Sequence, residues 1–325
     1  MNQLLHVCCR AALSVLALCL GTLAWADDYP SRPIRLIVGF SPGGAADSVG
    51  RALAEGLSAR LGQPVVVENR AGANGNLAAD LTAKAAPDGY TLYFPSVGHA
   101  VNASLYKKLG HDPVRDFTPI GKVFAAPNLL VVPIKSPHKS VADLMAFARA
   151  NPGKLSFASS GAGTSVHLSA ELFMHLTRVE MVHIPYKGTG SAMPDLISGV
   201  VDLSFPNLPS ALPLVKSGQL RALGVTTDKR SSAAPQIPSI AEAGVHGYDM
   251  STWYGLVGPA RLPPEITQRL NRELQAVLQL PSFRERLLVQ GAEPTPGTAE
   301  EFGRFLVSEI ERWRVLIRQA GVTLD

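Results

Sequence analysis

IRLIVGFSPGGAAD, residues 34–47, decides the fold. Ile34 to Phe40 is an apolar β-type run with one charged member, Arg35. It meets a loop, Ser41 to Asp47, that contains Gly43 and Gly44 and opens a helical pattern running from Ala45 to Leu61. Strand, glycine loop and helix in that order form the repeating unit of a parallel α/β sheet. The same punctuation returns at LSFAS, residues 155–159, which meets SGAGTSVH, 160–167, ahead of the helical run Leu168 to Leu176. The first N–H groups of a helix lack intrahelical partners and carry partial positive charge, so a glycine loop entering one can hold an anion. No Lys or Arg lies between Phe40 and Gly50 or between Ser159 and Thr177. An anion at either mouth is therefore held by peptide groups. Two such mouths suggest a small anionic ligand gripped from both sides; ordinary turns before helices are the competing reading of each loop.

Around these loops, short β-type runs alternate with helical ones: strands at Val65 to Glu68, Thr91 to Phe94, Leu129 to Val132, Met181 to Ile184, Asp202 to Phe205 and Leu220 to Thr226, helices at Asn76 to Ala85 and Val141 to Ala150. The alternation predicts an α/β fold whose lobes each hold a mainly parallel sheet flanked by helices, with ligands at the carboxyl ends of strands. Two segments read as crossings between lobes: FTPIGKVFAAPNLLVVP, 117–133, and VHGYDMSTWYGLVGP, 245–259. They divide the chain into a discontinuous first lobe, 27–125 and 249–325, and an inserted second lobe, 126–248. From Pro263 onward only helical patterns remain, Pro264 to Leu278, Pro281 to Gln290 and Thr298 to Ala320, expected to pad the first lobe.

Residues 1–26 read as a signal peptide: Arg10, an apolar stretch too short for a comfortable membrane span, then Ala24-Trp25-Ala26, with cleavage expected after Ala26 and a periplasmic destination. All three cysteines, Cys8, Cys9 and Cys19, fall in that leader, so the remaining chain has no disulfide, thiol nucleophile or cysteine metal site. The formal net charge of the 325 residues is only +4. The basic residues are scattered, which excludes the basic stripe of a nucleic-acid binder.

Enzyme signatures are scarce. There is no nucleophile elbow, H-E-x-x-H zinc helix or P-loop, and the lone G-x-G of Gly161 and Gly163 has Val166 where a dinucleotide loop needs its third glycine. His167, Glu171 and His175 recur every four residues, but His167 and His175 lie about 12 Å apart along a helix, too far for all three to share one ion. No metal or cofactor is expected. His167, beside the second loop, reads as a cleft hydrogen-bonding group or loop brace, and Asp47 as a brace of the first loop ahead of a ligand contact. Polar groups at predicted strand ends that could line a cleft are Asn69, Arg70, Asn74, Ser96, His99, Asn102, Tyr186, Lys187 and Asn207.

In order along the chain, FSPGGAAD, VENRAGANGN, SVGHAVN, SSGAGTSVHLSAELF, HIPYKGTGSAMPDLISGVVD and STWYGLVGP resemble the signature segments of the Bug (TctC-like) periplasmic solute-binding proteins, receptors of tripartite tricarboxylate transporters. The resemblance spans residues 27–325. It implies a two-lobed Venus-flytrap fold and a carboxylate gripped by two loops, which fall here on Ser41 to Asp47 and Ser160 to Thr164. The ligand-binding set expected on both grounds is Ser41, Gly43, Gly44, Asp47, Asn74, Ser96, His99, Ser160, Gly161, Ala162, Gly163, Thr164 and Asn207. The partners implied are a small carboxylate and the membrane subunits of a transporter, with the receptor a monomer. Ser41 and Pro42 depart from the Pro-Ala of many relatives. A secreted α/β enzyme acting on a carboxylated substrate, or a sensor without transport, are the alternatives.

Overall fold

The computed structural model describes residues 29–40, 42, 45–186, 189–289 and 291–320. The leader 1–26, Ser41, Gly43 and Gly44 of the first loop, and Lys187 lie outside them. The chain divides into residues 1–31 and residues 32–325, and the fold described here is that of the second unit.

Two sheets organise it. The larger has the order β11-β4-β10-β3-β1-β2, with β1 Ile34–Val38, β2 Val65–Asn69, β3 Thr91–Phe94, β4 Phe117–Pro127, β10 Ser251–Pro259 and β11 Glu293–Pro294. The smaller has the order β7-β6-β8-β5-β9, with β5 Leu129–Pro133, β6 Ser156–Ser159, β7 Val182–Pro185, β8 Leu203–Ser204 and β9 Leu220–Val225. β1 is covered on both faces, so Ile34, Leu36, Ile37 and Val38 are all buried. Its one outlying residue, Arg35, pairs with Glu68 on β2 at 2.7 Å.

The strands that carry the glycine loops run parallel to their neighbours, β1 with β2 and β3, and β6 with β7 and β8. The sheets as wholes are mixed rather than mainly parallel. The reason lies in the crossings: β10 runs antiparallel to β3 and β4, and β5 antiparallel to β8 and β9. A segment that leaves one lobe and its return segment travel in opposite directions, so they pair antiparallel wherever they meet.

The first predicted crossing is two strands, and the second is a strand only from Ser251. The first passes from β4 to β5 through Asn128 alone; the second leaves β9 and re-enters the larger sheet at Ser251, opposite Pro127. The two are tied together where they leave the sheet. Asn128 donates its N–H to Thr226 Oγ1 at 2.7 Å, and Met250 donates its own to the Thr226 carbonyl at 2.7 Å.

The helices are α1 Ala45–Leu61, α2 Asn76–Ala83, α3 Val97–Leu105, α4 Val141–Ala150, α5 Ser165–Thr177, α6 Thr189–Ser198, α7 Leu208–Lys216, α8 Pro264–Leu278, α9 Pro281–Val289 and α10 Ala299–Ala320. α8 buries Leu270, Leu274, Val277 and Leu278 against β4 and α1. α10 opens on a reciprocal capping box, in which Glu301 N–H donates to Thr298 Oγ1 (3.1 Å) and Thr298 N–H to Glu301 Oε2 (2.7 Å). It packs on β4 and α3, and also touches α5 of the smaller-sheet lobe.

Candidate ligand-binding cleft

Between the lobes lies a cavity of about 620 Å³. The larger-sheet lobe supplies Phe40, Pro42, Ala46, Gly72, Asn74, Ser96 and Val97, and the other lobe Ser160, Gly161, Ala162, Thr164, Ser165, Thr189 and Asn207. Thr252 and Tyr254, on one face of β10, complete it with Tyr106. None of the described lining residues carries a charge. A neutral cleft of this kind can still hold an anion if it presents oriented donors.

The second loop shows how those donors are made. Gly161 has φ 124° and Gly163 φ 75°, values that an L side chain rarely tolerates. Their own N–H groups are committed: Gly161 donates to Ser159 Oγ at 3.1 Å and Gly163 to His167 Nδ1 at 3.1 Å. Thr164 caps α5, its Oγ1 accepting from His167 N–H at 3.4 Å while donating to the Gly161 carbonyl at 2.7 Å. With those bonds made, the N–H groups of Ala162, Ser165 and Val166 have no partner among the described residues. They are the backbone donors the loop leaves unspent. His167 holds the loop from behind, since an Nδ1 that accepts requires the proton on Nε2, which faces Glu171 Oε1 at 3.2 Å.

The first loop is held at its helical end. Asp47, buried in the first turn of α1, accepts from Asn69 Nδ2 at 2.9 Å and pairs with Arg51 at 2.9 Å. Asn69 also donates to the Phe40 carbonyl at 3.0 Å, joining the ends of β1 and β2. Asp47 thus has the contacts of a brace and does not line the cavity. Between the lobes, Asn74, left-handed at φ 52° and ψ 37°, donates Nδ2 to the Gly163 carbonyl at 3.2 Å. This hydrogen bond ties the larger-sheet lobe to the second glycine loop.

Of the expected ligand set, Asn74, Ser96, Ser160, Gly161, Ala162, Thr164 and Asn207 line the cavity. Ser41, Gly43 and Gly44 lie outside the described residues. Gly163 sits just behind the lining, its two peptide groups spent on His167 and Asn74. His99 is elsewhere, buried beneath the larger-sheet lobe with Nε2 on the Pro113 carbonyl at 2.9 Å and its ring edge-on to Phe117. Arg70 turns to Glu68 at 2.6 Å and is not part of the lining. Among the described residues no group of three or more His, Cys, Asp or Glu side chains is disposed to hold a metal.

The strand-end reading missed Ser165, Thr189, Thr252 and Tyr254. The last two had a signal: they stand two apart in a segment already read as a crossing, and alternate residues of a strand share a face. Thr189 opens α6. Tyr254 stacks against both Phe94 (5.3 Å between centroids) and Phe124 (4.7 Å). Burial pushes its phenol up to about 12, so it stays a proton donor.

Two histidines are held below the ordinary imidazole range. Burial drives His99 down to about 4. Burial, then the adjacent His167 ring 4.1 Å away, drives His183 to about 4, where its Nε2 meets Ser159 Oγ at 2.6 Å. A histidine that titrates near 6.5 unfolded and lower when folded favours the unfolded chain once protons are available. The associated stability is complete above about pH 6.5 and is lost as pH falls toward 4. Urea midpoints should therefore drop steadily across that window, and His99→Leu should flatten the drop. A wild-type midpoint unchanged from pH 7 to pH 4.5 would contradict this.

The geometry described is that of a two-lobed binding protein, and comparison with known proteins agrees. Residues 49–322 match the model of the tripartite tricarboxylate transporter family receptor, TctC. Protein BugT of Bordetella pertussis is 40% identical over 301 residues, covering 92% of each chain. The structure of Rpa4515 of R. palustris with adipate superposes with TM-score 0.82 at 41% identity, covering 91% of this chain and 99% of that one. MatC of Rhodopseudomonas palustris, solved with bound malate, gives TM-score 0.78 at 31% identity over 89% and 99% of the two chains. The chain belongs to the TctC, or Bug, family of solute-binding receptors.

Proposed function

We propose that this chain is an extracytoplasmic receptor that captures a small carboxylate between its lobes and delivers it to a membrane transporter of the tripartite tricarboxylate type. The observation that carries this reading is the second loop: three peptide N–H groups at the mouth of α5 without partners among the described residues, beside a cleft with no charged side chain in its described lining. The lobes are 27–125 with 249–325, and 126–248, and the paired crossings at Asn128 and Ser251 serve as the hinge. The leader directs the chain to the periplasm, with cleavage after Ala26, where it acts as a monomer. Relatives solved with adipate and malate support a carboxylate as the ligand class. A binding role rather than catalysis fits a described lining without His, carboxylate or amine to act as base or nucleophile.

Thermal melting of ligand-stripped protein against mono-, di- and tricarboxylates tests the reading. At a hundredfold excess over Kd a ligand stabilises by about 2.7 kcal/mol, a shift of roughly 5–10 °C for a chain of this size. At least one acid should give it and be recovered unchanged. Flat melting curves across the panel, or turnover of the acid, would contradict it.

A further inference from the structure

Three consecutive peptides of the second loop are each fixed by one side chain. The Thr164 hydroxyl donates to the Gly161 carbonyl at 2.7 Å, which orients the peptide whose other end is the Ala162 N–H, since the two groups of a trans peptide point opposite ways. His167 Nδ1 accepts from the next N–H, that of Gly163, at 3.1 Å. The preceding N–H, that of Gly161, ends on Ser159 Oγ at 3.1 Å, and this oxygen lies 2.6 Å from His183 Nε2.

The direction of that last bond follows from burial. Ser159 has no exposure, and its hydroxyl proton has no other acceptor among the described residues. Buried hydroxyls keep a partner for their proton, so Ser159 donates to a bare His183 Nε2 and the proton of the neutral ring sits on Nδ1. The sheet holds this ring in place. Phe157 and His183 are register partners across the parallel pair β6 and β7, and their rings stack at 4.8 Å and 13°. His167, from the first turn of α5, stacks on His183 at 4.1 Å and 21°. Both glycine braces therefore end on the lone pair of an imidazole.

We infer that His183 is a positioning residue for ligand capture: through Ser159 it fixes the Gly161 peptide, and with it the orientation of the Ala162 N–H, without itself lining the cavity. This rests on the receptor reading and adds a residue to its machinery. The role requires a neutral ring, because a protonated Nε2 donates and strands the buried Ser159 hydroxyl. Burial, then His167, oppose that proton and hold His183 at about 4, against the pull of Glu171. Glu171 faces His167 Nε2 at 3.2 Å, in a crevice shared with His175 and with the apolar Trp313, Leu316 and Ile317 of α10. The brace is complete at neutral pH and is lost as pH falls through about 4.

Calorimetry with adipate and malate, and amide exchange without ligand, test this. His183→Leu removes the acceptor; His183→Gln keeps one that takes up no proton. At neutral pH His183→Leu should bind either acid about fivefold more weakly or worse, the worth of one net hydrogen bond. Its Gly161 amide should exchange about fivefold faster, with the fold retained by circular dichroism. His183→Gln should stay within about twofold of wild type on both readouts. At about pH 4 half of the unliganded wild type carries the proton, so it should lose about twofold in affinity relative to His183→Gln, a comparison from which the titration of the acid itself cancels. A residue that only supports the fold would show neither this pH difference nor the rescue by glutamine. Equal binding and equal Gly161 exchange in wild type and His183→Leu overturn the inference and leave the receptor reading standing; so does a glutamine variant as weak as the leucine one. Binding of neither acid by the wild type counts against the receptor reading instead, and Gly161 exchange then decides the brace alone.

Discussion

Gly163→Val should weaken carboxylate capture at least tenfold, about 1.4 kcal/mol, while circular dichroism shows the fold retained. Gly163 stands at φ 75°, where a β-branched side chain is badly strained. Its effect reaches the ligand through loop shape, because its N–H braces against His167 and its carbonyl receives Asn74. Moving that peptide displaces the neighbouring N–H groups of Ala162, Ser165 and Val166 and removes the tie from Asn74. Arg70→Ala is the contrasting variant: its guanidinium is paired with Glu68 outside the lining, so affinity should stay within about twofold, less than 0.5 kcal/mol. Calorimetry on both decides. Loss of all binding in Arg70→Ala with normal binding in Gly163→Val would show that a basic side chain holds the acid.

Glu309→Ala should lower unfolding stability by about 3 kcal/mol. Glu309 lies on α10, is 6% exposed, and its Oε2 accepts from the indoles of both Trp253 (2.9 Å) and Trp313 (3.2 Å). Both tryptophans are buried, so removing the carboxylate strands two N–H groups away from water. It also deprives Lys122, seated 3.9 Å from the Phe305 ring centre, of the carboxylate that helps keep it charged against its burial. Glu309→Gln retains an acceptor and should cost less than half as much. Urea unfolding measures both; a loss under about 1 kcal/mol for the alanine variant would mean the indoles find other partners. Trp253 belongs to β10, so Glu309 is one of the groups that bind α10 to that strand, beside Phe302 and Phe305.

How much of this was legible beforehand depended on whether a feature was local. α1, α4 and α8 begin and end where their caps, prolines and apolar spacing place them, because those signals lie within the helix itself. The break at Pro127 and Asn128 likewise marked the first crossing. α3 escaped notice because it is buried nearly all round and shows no polar face to give a period. α6 and α7 each contain an internal proline, Pro194 and Pro213, which argues against a helix on propensity alone.

The cleft divides in the same way. Ser160 to Thr164 could be found because a glycine loop before a helix advertises its donors in sequence. His99 lies in the first turn of α3 rather than at a strand end and turns inward, toward Phe117 and Pro113, and nothing local distinguishes that from turning toward the cleft. Tyr254 and Thr252 enter the site only through the pairing of β10 with β3 and β4, a contact between segments more than a hundred residues apart. The hydrogen bond from Asn74 to the Gly163 carbonyl is of that non-local kind too.

The central claim, a carboxylate held by peptide groups between two neutral walls, is tested most directly by a crystal structure of the chain with the acid that binds it best. We expect carboxylate oxygens at hydrogen-bonding distance from the N–H groups of Ala162, Ser165 or Val166, directly or through one water, with no Lys or Arg side chain in contact. A carboxylate seated instead on Arg70 or Lys187, or bound outside the cleft between the two lobes, would contradict it.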